Sequence, residues 1–252
     1  MWNITCGGVT WNDATQYRNS ITNELFLNSA SRLSELVDDQ QEKLYYKSWA
    51  EKELNWFLST KLINEVTHIV IDGLPAGSCD NDVEPVGAYW TYNSGVFLDG
   101  LVANGQVDLA RNVSQSAIKY FTNGNADQIL RETSCSPVEG YCDGLDGKMF
   151  KGAFVRHLTY ALQKWNKVTD KDYLDYKAWI VRQADSILNN ASVETDLGNG
   201  VKGLLLSQLW QGPQPDAQAD NQESVTPWVS QAAAFDALLA AFAVSNDIHF
   251  VE

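Results

Sequence analysis

The stretch from Asp13 to Leu36 reads DATQYRNSITNELFLNSASRLSEL. Its apolar side chains recur at steps of three to five residues: Tyr17, Ile21, Leu25, Ala30 and Leu33. This spacing places them on one stripe of an α-helix, and such a stripe is normally buried. The stretch therefore predicts a long amphipathic helix.

Helical periodicity continues along most of the chain. A second stripe is formed by Leu44, Tyr45, Trp49, Leu54 and Phe57. We expect further helices at about residues 93 to 104, 106 to 122, 148 to 166, 171 to 190 and 228 to 245. Strand signals are few: the best runs from Thr67 to Ile71, and no alternating partner with an Asn-Gly turn follows it. The sequence therefore predicts an all-α fold built from helical hairpins.

Length and composition favour a single domain over residues 1–252. This length is enough to bury one sizeable core, and no Pro- or Ser-rich linker divides it. The last long connection contains Gly198-Asn-Gly200-Val-Lys-Gly203, which matches the pattern Gly-x-Gly-x-x-Gly of dinucleotide-binding proteins. Because a helix end and not a strand precedes it, we interpret it as a loop whose glycines permit unusual backbone angles.

Charge and hydropathy exclude several classes of partner. Lys and Arg number 18 against 32 Asp and Glu, so the formal net charge is −14, and no broad basic face can neutralise a phosphate backbone. We expect no nucleic-acid partner and no affinity for anionic membranes. The longest apolar stretch, Trp228 to Val244, contains Ser230, Gln231 and Asp236, so we expect no membrane span. We also expect a monomer.

The four cysteines, at 6, 79, 135 and 142, predict disulfides and no metal. They contain no Cys-x-x-Cys pair and have no histidines at zinc-finger spacing. Cys135 and Cys142 bracket a loop with proline and glycine that can turn the chain back, so we expect a local disulfide between them. Cys6 and Cys79 either pair with each other, or one of them lacks its partner in this chain; the sequence leaves both open.

Three Asn-x-Ser/Thr sites predict N-glycosylation, at Asn3, Asn112 and Asn190. Together with the even number of cysteines and the acidic composition, they favour a secreted, extracellular or cell-wall protein. The first residues lack the basic and apolar regions of a secretion signal.

An acidic, aromatic-rich composition suits a neutral sugar ligand. Trp90 and Tyr92 stand among small and polar residues at the end of a long loop, where their rings could stack on C–H faces of a sugar. Hydrolysis of a glycosidic bond needs two carboxyl groups about 5 to 5.5 Å apart for retention. Asp38-Asp39 is the one adjacent pair, and its polar surroundings predict a solvated turn. Other candidate carboxyl groups are Asp72, Asp99, Glu132 and Asp146.

Seven sequence blocks, taken in order, resemble a known family. They are Cys6-Gly-Gly-Val-Thr-Trp11, Tyr17-Arg-Asn-Ser-Ile-Thr-Asn-Glu-Leu-Phe26, Ile71-Asp-Gly-Leu74, Trp90-Thr-Tyr-Asn-Ser-Gly-Val-Phe97, Leu130-Arg-Glu132, Phe150-Lys-Gly-Ala-Phe-Val-Arg156 and Trp210-Gln-Gly-Pro213. Together they resemble the glycoside hydrolase family 76 domain, the endo-α-1,6-mannanases of fungi and bacteria.

The resemblance implies an (α/α)6 toroid of helical hairpins and retaining hydrolysis of α-1,6-mannan by an endo-α-1,6-mannosidase, with no metal or organic cofactor. The family's catalytic residues are an adjacent Asp-Asp pair upstream of the Gly-Gly-x-x-Trp block, and this chain starts at that block. We therefore expect an incomplete toroid without its first hairpins, no catalytic residue in this chain, and a secretion signal lost with the same start. The alternatives are a non-catalytic mannan-binding remnant and a cell-wall mannan transglycosylase.

The expected ligand is α-1,6-mannan or a mannose oligosaccharide, and the resemblance implies that Asp72, Tyr92 and Asn93 face it beside Trp90. Asp72 could instead be a turn residue, and Tyr92 and Asn93 could begin and cap a helix.

Other blocks favour structural roles. Lys151 and Arg156 are expected to pair with acids such as Glu132, Arg131 and Glu132 could form an ion pair, and Gly152 is expected to permit close helix approach.

Overall fold

The computed structural model describes residues 2–136, 140–165, 170–196, 198–212 and 228–246. Within them lie seven helices and one two-stranded antiparallel sheet. The elements are α1 Ser20–Leu36, α2 Gln40–Leu58, α3 Thr91–Ala103, α4 Val107–Phe121, α5 Leu145–Lys164, α6 Asp170–Asn190, β1 Ser192–Asp196, β2 Lys202–Leu206 and α7 Trp228–Ser245. The all-α prediction is confirmed, because every predicted helix is present.

The segment with the best strand signal, Thr67 to Ile71, does not form a strand. This segment makes one isolated bridge, between Ile63 and Val70, and His68 interrupts the extended run with a φ of 54°. The sheet lies instead in the connection after α6, where Ser192 of β1 pairs with Leu206 of β2.

The turn between β1 and β2 contains the glycine-rich stretch. Gly198, Asn199 and Gly200 all have positive φ, at 97°, 55° and 76°. These angles are the left-handed conformations that glycine and asparagine adopt most easily. The loop interpretation is confirmed for this part of the stretch, whereas Gly203 belongs to β2.

Of the stripe predicted for α1, only Ala30 is buried in the structure. The helix begins at Ser20, where the Asn19 side chain caps it by accepting a hydrogen bond from the Thr22 N–H, so Tyr17 precedes the helix. Leu25 and Leu33 are 49% and 40% exposed. The buried residues of the helix are mostly polar: Ser20, Asn23, Glu24, Leu27, Asn28, Ala30 and Ser31. α1 packs against both α2 and α3. These two contacts decide which side of the helix is buried, and the spacing of its apolar residues does not predict that side.

Leu33 and Tyr45 belong to an open groove on α1 and α2 instead. The groove encloses about 320 Å³ and is lined mainly by rings and apolar side chains, among them Trp2, Phe26 and Trp49.

The chain divides into two compact units, residues 1–117 and residues 118–252. In the N-terminal unit, α1 packs against α2 and α3, and the rings of Phe57 and Phe97 stack with centroids 4.5 Å apart. A disulfide joins Cys6 to Cys79 with a Cα–Cα distance of 4.7 Å, which decides between the two alternatives that the sequence left open. The buried Arg18 guanidinium strengthens the same link, donating hydrogen bonds to the carbonyls of Cys6 and Ser78.

In the C-terminal unit, α7 packs against α5 and α6. A Cβ added at Gly152 would lie 2.6 Å from the Cα of Ala233, so the predicted close helix approach is confirmed. The predicted disulfide between Cys135 and Cys142 is confirmed, with a Cα–Cα distance of 4.9 Å. The single-domain interpretation of residues 1–252 stays a prediction.

By length and composition alone, α7 could cross a membrane, and half of it is buried within the protein. It carries one charged side chain, Asp236, which forms an ion pair with Arg156 of α5. The expected absence of a membrane span stays a prediction.

Candidate functional site

The candidate site is the end of the contact between α1 and α3 at which both helices begin. Asn28 donates from Nδ2 to the Val96 carbonyl at 2.9 Å, and farther along both helices Arg32 pairs with Asp99 at 2.7 Å. Because residue numbers increase together along this contact, the two helices run parallel. Their N-terminal ends therefore lie at the same end of the N-terminal unit, and both helix dipoles present positive ends there.

Asp72 is fixed at the start of α1. Its carbonyl accepts a hydrogen bond from the Ser20 N–H at 2.7 Å, and its carboxylate Oδ2 accepts one from the Tyr17 hydroxyl at 2.5 Å. Burial, and secondarily the hydrogen bond and charge of Asp72, raise the pKa of Tyr17 above its ordinary value of 10.0. The tyrosine therefore stays protonated and acts as a donor to Asp72.

Two glycines allow this arrangement around Asp72. A Cβ added at Gly87 would lie 2.6 Å from the Asp72 Cβ, and one added at Gly73 would lie 2.4 Å from the Tyr17 hydroxyl oxygen. Gly73 also pairs with Val86 through two backbone hydrogen bonds of 3.1 and 2.7 Å. Asp72 is thus held in a defined place and remains partly exposed.

Trp90, Tyr92 and Asn93 lie at the start of α3. Trp90 occupies the N-cap position, where its side chain makes no capping hydrogen bond, and Trp90 and Tyr92 are partly exposed. Asn93 is fully buried, and neither atom of its amide has a hydrogen-bond partner among the described residues. Asn93 therefore does not cap the helix.

Glu24 is the residue at this site that sequence reasoning missed. Its side chain is fully buried one turn into α1, and neither carboxyl oxygen finds a hydrogen-bond partner in the described part of the chain. Burial, and secondarily the negative charge of Asp72, raise the pKa of Glu24 well above 4.5. A polar stripe at helical spacing, Ser20, Glu24, Asn28 and Ser31, was the available signal.

The pair Asp38-Asp39 is not part of this site. Asp39 caps α2, its Oδ1 accepting from the N–H groups of Gln41 and Glu42 at 2.8 and 2.9 Å, and both aspartates lie outside the folded interior. The prediction of a solvated turn is confirmed. Among the residues described, no group of three or more His, Cys, Asp or Glu side chains could hold a metal ion.

The remaining candidate residues take structural partners. Arg131 pairs with Asp127 at 2.6 Å, and Arg156 pairs with Asp236 at 3.0 Å, so the partner of Arg156 is an acid other than Glu132. Asp146 is exposed in the first turn of α5.

Lys151 is buried in the C-terminal unit and donates to the Gln208 carbonyl at 2.5 Å, 4.9 Å from the centre of the Trp210 ring. Burial lowers the pKa of Lys151 to about 8, against the opposing charge of Glu132. The charge of Glu132 acts on Lys151, which supports the expectation that Lys151 interacts with an acid such as Glu132.

These features define a class of protein. It is all-α, and its site combines carboxyl and aromatic side chains at the ends of parallel helices. The model of the family described as glycosyl hydrolase family 76 matches residues 2–241. The chain belongs to this family, and the helical-hairpin toroid expected from the sequence is its fold.

Curated relatives are named as mannosidases. The mannan endo-1,6-alpha-mannosidase DCW1 of Saccharomyces cerevisiae is 29% identical over 63% of this chain and 36% of its own length. The protein of the same name from Candida albicans is 25% identical over 82% of this chain and 47% of its own length. The chain thus spans about a third to a half of the curated relatives that it matches.

Solved structures show the same fold at lower identity. Dfg5 from Chaetomium thermophilum, in complex with glucosamine, matches with a TM-score of 0.73 and 20% identity over 97% of this chain and 57% of that chain. An inactive variant of an alpha-1,6-mannanase from Salegentibacter, with two consecutive aspartates substituted and alpha-1,6-mannotriose bound, matches with a TM-score of 0.73 and 19% identity over 96% of this chain and 65% of that one.

Proposed function

We propose that the chain carries the glycan-binding part of an endo-α-1,6-mannosidase that acts on α-1,6-mannan with retention. The observation that carries the proposal is the Asp72 carboxylate, fixed by Tyr17 at the start of α1, at the same end of the N-terminal unit as the partly exposed Trp90 and Tyr92 of α3, in a family whose relatives are named mannan endo-1,6-alpha-mannosidases. The mannotriose complex of the related mannanase supports the choice of ligand.

The geometry suits a neutral sugar. Tyr17 occupies one oxygen of Asp72, so the other oxygen can accept a hydrogen bond from a sugar hydroxyl. The partly exposed rings of Trp90 and Tyr92 offer apolar surface to the C–H groups of a pyranose. A carboxylate that orients hydroxyls and rings that cover apolar faces are the usual elements of a small-ligand site.

Cleavage requires a second component, a pair of carboxyl groups flanking the glycosidic bond. Asp39 caps α2 in this chain, so we propose that neither Asp38 nor Asp39 cuts the substrate. We therefore assign glycan binding to Asp72, Trp90 and Tyr92, and we assign catalysis to none of the residues named here.

The same observation favours a second candidate function, non-catalytic binding of mannan. The hydrolase and the non-catalytic binder should both bind mannan. Only the hydrolase should cleave it when the family's upstream sequence is joined to this chain.

Secretion is part of the proposal. Two disulfides and the exposed side chains of Asn112 and Asn190 support folding and glycosylation in an oxidising compartment.

Two measurements test the function. Calorimetric titration of the chain with α-1,6-mannotetraose should give binding that Tyr92→Ala weakens and Tyr45→Ala leaves unchanged; Tyr45 is an exposed tyrosine on α2. Absence of heat from the unsubstituted chain would refute the proposal. Release of reducing ends from linear α-1,6-mannan by the extended version would support the hydrolase, transfer products would indicate a transglycosylase, and binding without either would support the non-catalytic candidate.

A further inference from the structure

Glu24 is an unusual carboxyl group because it is buried without a visible partner. Its exposure is 0%, and both oxygens lack a hydrogen-bond partner within the described ranges. A buried polar group is stable only when something satisfies it, and ordered water or a ligand is the usual answer where protein groups do not.

The register of the two helices puts Glu24 and Asn93 together. Asn28 of α1 contacts Val96 of α3, and a Cβ at Gly100 would meet Asn28 and Leu27. Glu24 is one turn before Asn28, and Asn93 is on the same stripe of α3, one turn before Val96 and two turns before Gly100. Both side chains therefore occupy the beginning of the α1–α3 contact.

Asp72 lies at the same level. Its carbonyl accepts from the Ser20 N–H, and Ser20 precedes Glu24 by one helical turn on the buried side of α1. The charge of Asp72 contributes to the raised pKa of Glu24, which agrees with this placement.

The unpartnered atoms complement a hydroxyl group. A carboxyl group kept neutral has one O–H donor, and the Asn93 amide adds N–H donors and a carbonyl acceptor. The oxygen of a hydroxyl group can accept from these donors, and its hydrogen can be donated to the Asp72 carboxylate.

We propose that Glu24 positions Asp72 for glycan binding by holding, together with Asn93, one hydroxyl group that hydrogen-bonds to the Asp72 carboxylate. The hydroxyl belongs either to an ordered water molecule or to the sugar. This inference rests on the proposed function, because it gives Glu24 a part in the same binding site.

The test separates positioning from a structural role. Glu24→Leu removes an unpartnered carboxyl from the interior, so the melting temperature is unchanged or rises, whereas affinity for α-1,6-mannotetraose falls about tenfold, the loss expected for one hydrogen bond to a charged group. Glu24→Gln keeps a donor of the same shape, so it restores part of that affinity.

Glu53 of α2 provides the matched control, since it too is fully buried and has both carboxyl oxygens unpartnered among the residues described. Glu53→Leu should raise the melting temperature and leave affinity unchanged.

Each outcome decides the inference. Equal affinity of Glu24→Leu and the unsubstituted chain overturns it and leaves the proposed function standing. An equal loss in Glu24→Leu and Glu53→Leu marks the effect as structural and also overturns it. No binding by the unsubstituted chain overturns the proposed function and this inference together.

Two further measurements do not depend on the folding of Glu24→Leu. Infrared difference spectra at neutral pH, recorded in a Glu53→Gln background so that Glu53 does not contribute, should show a protonated-carboxyl band that Glu24→Gln removes; persistence of the full band would overturn the inference. An ordered oxygen between Glu24 and Asn93 in a crystal of the free chain identifies water, one present only with mannotetraose identifies the sugar hydroxyl, and its absence from both overturns the proposal.

Discussion

The Tyr17 hydroxyl donates a hydrogen bond of 2.5 Å to Oδ2 of Asp72, across a sequence separation of 55 residues. The bond joins the segment before α1 to the loop before α3, and it leaves one Asp72 oxygen for a ligand. Hydrogen bonds to carboxylate acceptors are stronger than those between neutral groups.

Tyr17→Phe should weaken binding of α-1,6-mannotetraose about ten- to a hundredfold, because the loss of one hydrogen bond to a carboxylate corresponds to about 1.5–3 kcal/mol. Calorimetric titration measures the change. Tyr46→Phe is the control, because the Tyr46 ring packs against the ring of Tyr45 on α2, away from Asp72. Equal affinities for Tyr17→Phe and Tyr46→Phe would show that the Tyr17–Asp72 bond does not support binding.

Gly87→Ala should destabilise the fold and weaken glycan binding. Gly87 has a φ of 93°, and the added Cβ would lie 2.6 Å from the Asp72 Cβ, so strain and a clash act together. We expect a loss of about 2 kcal/mol or more in the free energy of unfolding, measured by urea titration.

Gly77→Ala is the control for strain alone, because Gly77 has a φ of 73° with nothing within 4 Å of the added Cβ. Its expected cost is about 1 kcal/mol. Equal losses from both substitutions would mean that the contact with Asp72 adds nothing.

Glu53 should make stability depend on pH. Burial raises the pKa of Glu53 from 4.5 to about 9, and Lys52 opposes this only in part. Between these two values the folded protein keeps a proton that the unfolded chain releases, so the free energy of unfolding falls as pH rises from about 4.5 to about 9.

Glu53→Gln removes this contribution. Its stability relative to the unsubstituted chain should be unchanged near pH 4 and greater by about 3 kcal/mol at pH 7, which follows from 1.36 kcal/mol for each unit of pKa difference. Urea titrations of both proteins at several pH values measure the difference. A difference that stays constant with pH would contradict the assignment of the titration to Glu53.

The two disulfides should contribute unequally to stability. The Cys6–Cys79 bond closes a loop with a sequence separation of 73 residues, and the Cys135–Cys142 bond one of 7. In the chain-entropy description the longer loop is worth about 4 kcal/mol and the shorter about 2–3 kcal/mol. Replacing each pair by serine and comparing unfolding in urea tests the order. A larger loss from the shorter loop would contradict this explanation.

The sequence predicted most residues of the site individually, but it did not predict how they are arranged. Asp72, Trp90, Tyr92 and Asn93 were named from their sequence blocks, and the structure places them at the beginnings of α1 and α3. Their role as glycan ligands stays a prediction. Glu24 was not named, because its burial comes from α3 packing against a polar face that the apolar pattern of α1 did not indicate.

By itself the sequence determined the helices, the Cys135–Cys142 disulfide and the close approach at Gly152, since each depends on periodicity or residue type within a short segment. Only the tertiary structure decided which face of α1 is buried, that Cys6 joins Cys79, that a hairpin lies at residues 192–206, and that Asp72 meets Tyr17. These features depend on which distant segments pack together, and a helix with apolar residues on several sides offers more than one face for burial. The neighbours of α1 select among those faces, and no local pattern encodes that choice.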